Sequence, residues 1–213
     1  MVLASQYRGN DGGEGLEQFG GADVGDVVTL VSLASALPYA DPKNIFFYGV
    51  SRGGMMTFLA LARGVAVNAA AVVGGIYDMQ GLMEPTKQRM PGVADRVMKL
   101  IPDYSTRGAA ALAERSVMQW PEKITVPPLM IHGADDEEVP VSQALAFAAR
   151  LSGVLGSWAA VITMSATTTI RGRRSSRRTC SPASIGRTCS IRRLRGTTSR
   201  RCWLLALRGR PRT

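Results

Sequence analysis

The composition of the chain changes abruptly after Met164, and this change limits where a compact fold can form. Residues 165–213 contain 14 arginines and no acidic residue, and 29 of these 49 residues are Arg, Ser or Thr. Their one apolar cluster, residues 202–207, is short. Such a segment cannot bury enough apolar surface to offset the conformational entropy lost on folding. We therefore divide the chain into a globular domain at 1–164 and a disordered, Arg-rich tail at 165–213.

The net charge of +10 arises entirely from the tail. Residues 1–164 hold 12 Lys and Arg against 16 Asp and Glu, a net charge of −4, whereas the tail carries +14. Arginines can bind nucleic acid by neutralising phosphates, so a basic nucleic-acid-binding protein is the non-enzymatic alternative. The tail lacks the interleaved aromatic residues on which bases stack, and we expect no nucleic-acid partner.

The sequence gives no indication of a membrane or a cofactor. No apolar run is long enough to cross a bilayer, and the first residues lack the basic and apolar stretches of a signal peptide. All three cysteines, at positions 180, 189 and 202, lie in the tail. We therefore expect a cytoplasmic protein with no membrane partner, no metal site and no cofactor, and the oligomeric state stays open.

Strand-like and helix-like stretches alternate within residues 1–164, which is typical of an α/β fold with a mostly parallel sheet flanked by helices. The predicted strands are residues 2–5, 45–48, 70–73, 128–131 and 158–163. The predicted helices are residues 24–37, 55–61 and 142–151. A glycine-rich loop is predicted at 9–21.

A glycine-rich turn around Ser51 is the sharpest indication of chemistry. Residues 49–54 read Gly-Val-Ser-Arg-Gly-Gly and lie directly between a predicted strand and a predicted helix. At such a turn the serine has a strained backbone, and small neighbours let the chain pass close by. The hydroxyl is then exposed, and the backbone N–H of Arg52 can donate to a developing oxyanion. The alternative is a tightly packed turn without a catalytic role.

A nucleophilic serine needs a base and a carboxylate that orients the base. Four acids, Asp135 to Glu138, follow the predicted strand 128–131, at the end where active sites of parallel sheets form. His132 is the single histidine of the chain, but it precedes the acids, which is the wrong order for this triad. We expect His132 to bond to the loop backbone. The residues thus supply a nucleophile and an acid without a base.

Five motifs occur in order along residues 1–163. They are Gln-Tyr-Arg-Gly-Asn at 6–10, Phe-Gly-Gly-Ala-Asp at 19–23, Asp-Pro-Lys-Asn-Ile at 41–45, the turn at 49–54, and His-Gly-x-x-Asp-x-x-Val-Pro-Val-Ser-Gln at 132–143. Together they resemble the catalytic domain of the prolyl oligopeptidase family of serine peptidases, which includes dipeptidyl and acylaminoacyl peptidases.

This resemblance implies an α/β-hydrolase fold and the cleavage of short peptides. It also implies Ser51 as the nucleophile and Asp136, rather than Asp135, as the triad carboxylate. Asp136 holds the acid position of the His-Gly-x-x-Asp-x-x-Val-Pro motif. A carboxylesterase on the same fold is the alternative enzyme.

The chain departs from the family pattern at both ends. The family has several strands before the Tyr-Arg-Gly motif, including a turn with a second oxyanion donor, but Tyr7 stands six residues after Met1. We therefore expect a partial hydrolase domain, truncated at its start.

The family's histidine should follow the last predicted strand, where residues 164–169 read Met-Ser-Ala-Thr-Thr-Thr. In another frame, GC-rich codons for this stretch would encode Val-Gly-Asp-Asp-His. We expect a tail that is out of frame and a chain that is inactive as written.

Limited trypsin digestion tests the predicted tail. Residues 171–213 should be cleaved far faster than 1–164, because their arginines have no core in which to be buried. The products are identified by mass spectrometry over a time course. A tail that survives as long as the rest of the chain would show that it folds or docks.

Overall fold

A parallel β-sheet is the framework of the structure, a computed structural model that describes residues 1–155 and 160–164. Its strands are β1 (Phe46–Val50), β2 (Ala69–Val73), β3 (Pro128–Gly133) and β4 (Ala160–Met164). They lie side by side in chain order, and each neighbouring pair is parallel. The predicted α/β fold with a parallel sheet is confirmed.

One helix precedes β1, and helices connect each strand to the next, as parallel pairing requires. The α-helices are α1 (Val24–Ala36), α2 (Arg52–Ala62), α3 (Met79–Arg89), α4 (Pro91–Leu100), α5 (Tyr104–Ala113) and α6 (Val141–Leu155). Two short 3-10 helices, Val117–Gln119 and Pro121–Lys123, follow α5. In the described part of the chain, every helix is too short or too polar to span a bilayer.

The structure corrects the predicted elements in two places. Residues 2–5, predicted as a strand, have no regular structure, and Val2 is exposed. Extended backbone becomes a strand only when a neighbour pairs with it, and β1 does not do so. The three helices α3 to α5 were not predicted, although the apolar residues of α4, at positions 93, 94, 97 and 98, recur at helical spacing. Residues 158–159 of the last predicted strand and the tail 165–213 lie outside the described residues.

One face of the sheet carries an aromatic core beneath α2 and α6. Phe58 of α2 is fully buried, and its ring centre lies 5.1 Å from that of Phe147 in α6 and 5.6 Å from that of Tyr77. Val72 and Met130 of the sheet are fully buried in the same cluster. This cluster therefore fixes both helices against the sheet, and with them the turns that precede each helix.

The opposite face of the sheet is apolar but exposed. Phe46 and Tyr48 alternate with buried positions along β1 and are 63% and 59% exposed. Leu129 and Ile162, which the strand register places on the same face, are 37% and 40% exposed. The described residues are thus held together mainly through one side of the sheet.

This asymmetry predicts unequal effects for two phenylalanines. Phe58→Ala should lower the free energy of unfolding by about 3–5 kcal/mol, because it leaves a cavity in the aromatic core. Phe46→Ala should cost about 1 kcal/mol or less, since the ring already contacts solvent. Urea titrations followed by circular dichroism measure both. Equal losses would show that the face bearing Phe46 is covered in solution.

Candidate active site

Ser51 occupies the turn between β1 and α2, where the backbone adopts an uncommon conformation. Its φ is 52° and its ψ is −117°, a region that costs a non-glycine residue about 1–3 kcal/mol. The N–H of Ser51 donates to the carbonyl of Val73, at the end of β2, over 2.9 Å. Ser51 is exposed at the carboxyl edge of the sheet. The predicted strand–turn–helix setting of this serine is present.

Two glycines beside Ser51 are needed for close packing of the turn. A Cβ atom on Gly49 would overlap the backbone of Gly53, on the far side of the turn. A Cβ atom on Gly54 would lie 2.5 Å from Cγ1 of Val72 in the neighbouring strand. The corresponding position on Gly53 is open. The expected packing role therefore belongs to Gly49 and Gly54.

Arg52 contributes its backbone and its side chain to different parts of the site. It is the first residue of α2, so its N–H has no acceptor within the helix, and this helix end favours negative charge. Its guanidinium forms ion pairs with Glu17 and, over 2.7 Å, with Asp23. The same group lies 4.6 Å and 4.5 Å from the ring centres of Tyr7 and Phe19. The side chain thus ties the glycine-rich loop to the start of α2.

The two acids that form ion pairs with Arg52 are largely shielded from solvent. Asp23 is fully buried and also accepts hydrogen bonds from the N–H of Gly20. Burial by itself would raise the pKa of Glu17, but hydrogen bonds from Asn10 and Arg52 outweigh burial and hold that pKa below its usual value. Glu17 is therefore ionised at neutral pH and keeps its ion pair with Arg52.

The predicted carboxylate, Asp136, lies in the loop after β3 and has two differently placed oxygens. Oδ1 accepts hydrogen bonds from the N–H groups of Glu138 and Val139, over 3.0 Å and 2.9 Å. Oδ2 lies 3.4 Å from the point at which Gly74, just after β2, would carry a Cβ atom. Asp135 is exposed. The loop backbone therefore fixes the orientation of Asp136 beside the carboxyl end of β2.

His132, the single histidine, lies beneath this loop and is fully buried. Its Nε2 is 2.8 Å from the carbonyl of Val139 and 3.5 Å from Oδ2 of Asp136. Because a carbonyl oxygen only accepts hydrogen bonds, Nε2 carries the proton and donates a hydrogen bond to the carbonyl of Val139. His132 thus bonds to the loop backbone, as expected. The four acids of the loop form no metal site, since no three metal-binding side chains come together in residues 1–155 and 160–164.

Ser51 lines both a smaller and a larger cavity. The smaller has a volume of about 220 Å³ and lies between Ser51 and Asp136, with Gly74 and Gly133 in its wall. The larger has a volume of about 410 Å³ and extends from Ser51 and Arg52 into an apolar region. Its apolar lining includes Ile76, Met79, Leu82, Met83 and Val97. His132 lines neither cavity. The two cavities place the serine between an acid and an apolar pocket.

Comparison of the sequence with known families identifies the chain. The Prolyl oligopeptidase family matches residues 3–169, which is most of the chain. The chain belongs to the prolyl oligopeptidase family. The uncharacterized peptidase YtmA of Bacillus subtilis is 32% identical over 149 residues, which are 66% of this chain and 54% of YtmA. The chain thus spans about half the length of this curated relative.

Solved structures of similar fold support the α/β-hydrolase assignment. A puromycin-hydrolyzing peptidase of Mycobacterium tuberculosis matches 70% of this chain and 22% of its own, with 27% identity and a TM-score of 0.62. An acylaminoacyl peptidase of Pyrococcus horikoshii matches 70% of this chain and 23% of its own, with 22% identity and a TM-score of 0.57. The second likeness concerns the fold alone.

The role of the Arg52 side chain does not follow from the sequence patterns. They indicate only its backbone N–H as a donor and do not connect Glu17 or Asp23 to its guanidinium. A signal was present, because the glycine-rich loop holds more acids than bases. Nothing in the spacing, however, showed which cation those acids would meet.

The glycines of the turn provide a matched pair of substitutions. Gly49→Ala should strongly destabilise the protein, since its methyl group overlaps backbone that cannot move without opening the turn. Gly53→Ala should leave the stability unchanged or raise it by up to about 1 kcal/mol, because alanine favours a helix. Thermal unfolding followed by circular dichroism distinguishes the two. Similar melting temperatures for both variants would contradict the packing assigned to Gly49.

Proposed function

We propose that this chain carries the nucleophile and the carboxylate of a serine peptidase that cleaves short peptides through an acyl-enzyme on Ser51. The observation that carries the proposal is the 220 Å³ cavity that Ser51 and Asp136 line together. A strained serine at a strand-to-helix turn, facing a carboxylate on a later strand, is the arrangement of α/β-hydrolases. The residues proposed for this site lie within 1–164.

In the proposed reaction, Oγ of Ser51 attacks the carbonyl carbon of the scissile bond while its proton passes to a histidine base. The N–H of Arg52 donates to the oxyanion that forms at the substrate carbonyl. The C–N bond then breaks, the amine leaves with the proton from the base, and the acyl group stays on Ser51. Water attacks this ester in the same way and releases the acid. Asp136 orients the histidine and stabilises its charged form.

This chain has no free histidine to act as the base in these steps. Its single histidine, His132, is buried and donates to Val139. A serine hydroxyl without a base is a weak nucleophile at neutral pH, so we expect negligible turnover. A change of reading frame after Met164 would place a histidine at about residues 166–169, directly after β4 and next to the loop that carries Asp136.

The lining of the larger cavity favours a substrate whose acyl group carries an apolar side chain. Its lining from α3 and α4 is mainly aliphatic and methionine side chains, which adapt their shape to an apolar ligand. Its volume of about 410 Å³ falls in the range of small-molecule sites. A carboxylesterase could use the same pocket, because esters and amides share the acyl half of the substrate. Aminoacyl-naphthylamides and p-nitrophenyl esters with matched acyl groups distinguish the two activities.

Restoring the predicted frame after Met164 tests the proposed triad. The gene is first sequenced across this codon, and the alternative frame is then expressed. Hydrolysis of the naphthylamides should appear. Ser51→Ala and replacement of the new histidine should each lower kcat/KM by roughly 10³-fold or more, and both changes together should cost little more, because the pair acts as a unit.

The acid loop supplies the matched control in the same protein. Asp136→Asn should lower kcat by roughly 100-fold or more through misorientation of the imidazole. Asp135→Asn removes an exposed charge and should change kcat by less than about threefold. If Asp135→Asn is the more damaging, the carboxylate assignment is wrong. If the folded protein is inert towards amides and esters alike, the hydrolase proposal fails.

A further inference from the structure

Gln143 is the last residue of the fifth sequence motif, and the proposed reaction does not use it. It lies in the first turn of α6 and is half-buried. Its Oε1 accepts hydrogen bonds from the N–H groups of Tyr77 and Asp78, over 3.1 Å and 3.0 Å. Its Nε2 donates to the carbonyl of Asp78 over 3.0 Å. One side-chain amide thus holds a backbone segment 65 residues away in the sequence.

The segment that Gln143 holds connects β2 to α3 and lines both cavities. Gly74, at its start, lines the smaller cavity. Ile76 and Met79 line the larger cavity, and Tyr77 between them is fully buried in the aromatic core. Four apolar residues from this segment and from α3 line the larger cavity, and we refer to them as the α3 wall: Ile76, Met79, Leu82 and Met83.

The other end of this contact adjoins the loop that carries Asp136. The loop ends where α6 begins, and the N–H of Gln143 donates to the carbonyl of Pro140 over 3.0 Å. Asp136 lines the smaller cavity, and Val139 of the same loop lines both cavities. Gln143 therefore joins two segments that line the cavities beside Ser51.

Two side chains hold the start of α3. Besides the amide of Gln143, the buried hydroxyl of Ser116 accepts hydrogen bonds from the N–H groups of Met79 and Gln80, over 2.9 Å and 3.1 Å. Ser116 belongs to the stretch after α5, whereas Gln143 belongs to the helix that follows the loop of Asp136. Gln143 thus fixes the start of α3 relative to that loop.

We propose that Gln143 is a positioning residue of the active site, which holds the α3 wall at a fixed distance from the loop that carries Asp136. It thereby determines how well the larger cavity binds an apolar acyl group beside Ser51. A glutamine amide suits this position because it offers a donor and an acceptor in one plane. A carboxylate in its place would accept from the two N–H groups but would present a second acceptor to the carbonyl of Asp78. This inference rests on the proposed function for the identity of the acyl pocket.

The first experiment measures the binding of two small amides to the full chain and needs no hydrolysis. N-acetyl-leucinamide and N-acetyl-alaninamide differ only in the side chain that would enter the larger cavity. Binding is followed through the methyl resonances of ¹³C-labelled methionines, because Met79, Met83 and Met90 line that cavity. The leucine compound should bind about tenfold or more tightly than the alanine compound, since its side chain buries more apolar surface.

Gln143→Glu tests the assigned contact with a side chain of the same size. Near neutral pH it should shift the methyl resonance of Met79 and weaken binding of the leucine compound by about fivefold, because a hydrogen bond is replaced by two facing acceptors. Gln88→Glu makes the same change at an exposed position of α3 and should alter binding by less than about twofold. Equal binding by the unchanged chain and by Gln143→Glu would overturn the proposal.

Lowering the pH separates a positioning role from a general loss of stability. A protonated carboxyl group has one donor and one acceptor, like the amide that it replaces. The carbonyl of Asp78 favours this form, so the pKa of the introduced carboxyl should lie above the usual value of about 4.3 for Glu. At about pH 4.5, Gln143→Glu should therefore bind the leucine compound within about twofold of the unchanged chain at the same pH. Binding that stays weak in a variant shown to be folded by circular dichroism would overturn the assigned contact.

Amide hydrogen exchange tests the contact without any substitution, which matters if Gln143→Glu does not fold. Among the described residues, the N–H groups of Tyr77 and Asp78 have only the Gln143 side chain as an acceptor. Both should exchange at least about tenfold more slowly than in an unfolded chain. Unprotected exchange at both positions would overturn the proposal.

Failure of this proposal can be told apart from failure of the proposed function. Amide binding that Gln143→Glu leaves unchanged overturns the positioning role and leaves the proposed peptidase intact. Absence of amide binding by the unchanged chain overturns the acyl pocket and this role together, whereas the nucleophile is tested separately by hydrolysis in the frame-restored protein. In that protein, Gln143→Glu should raise KM for a leucyl-naphthylamide about fivefold and change kcat by less than about twofold, because the contact acts on binding rather than on the reacting atoms. A loss confined to kcat would overturn the role in binding.

Discussion

The backbone conformation of Ser51 is the constraint on which the arrangement of this site depends. A φ of 52° at a residue with a side chain is unfavourable and persists only where the surroundings hold it. Here the surroundings are the hydrogen bond to Val73 and the close passage of backbone at Gly49 and Gly54. The strain is therefore part of the geometry that the fold maintains.

Arg52 contributes to the turn through both its backbone N–H and its side chain. Its N–H belongs to the exposed start of α2, where a negative charge is favoured. Its guanidinium contacts the rings of Tyr7 and Phe19 and forms ion pairs with Glu17 and Asp23. Lysine could replace the charge but not the planar group that stacks on both rings. The loop that contributes Glu17 and Phe19 to the larger cavity is thus fixed by the residue that follows the proposed nucleophile.

The elements that could be predicted from the sequence are those set by residues close together in the chain. The strands β1, β2 and β3, the turn at Ser51 and the backbone-bonded His132 could be predicted because each depends on neighbours in sequence. The region between β2 and β3 was not predicted, because two of its three helices contain a residue that disfavours a helix, Pro85 in α3 and Gly108 in α5. The contact of Arg52 with Asp23 was not predicted either, because it joins residues 29 positions apart. Residues 2–5 have strand-like composition, but pairing with a neighbour decides whether a strand forms.

The two faces of the sheet contribute unequally to the site. Ser51 precedes α2, Asp136 precedes α6, and these helices meet through the contact of Phe58 with Phe147. The relative position of the nucleophile and the acid is therefore set by the covered face. Exposed side chains such as Tyr48 add nothing to that contact. It follows that the space between Ser51 and Asp136 should be more sensitive to small changes in the aromatic core than to large changes on the exposed face.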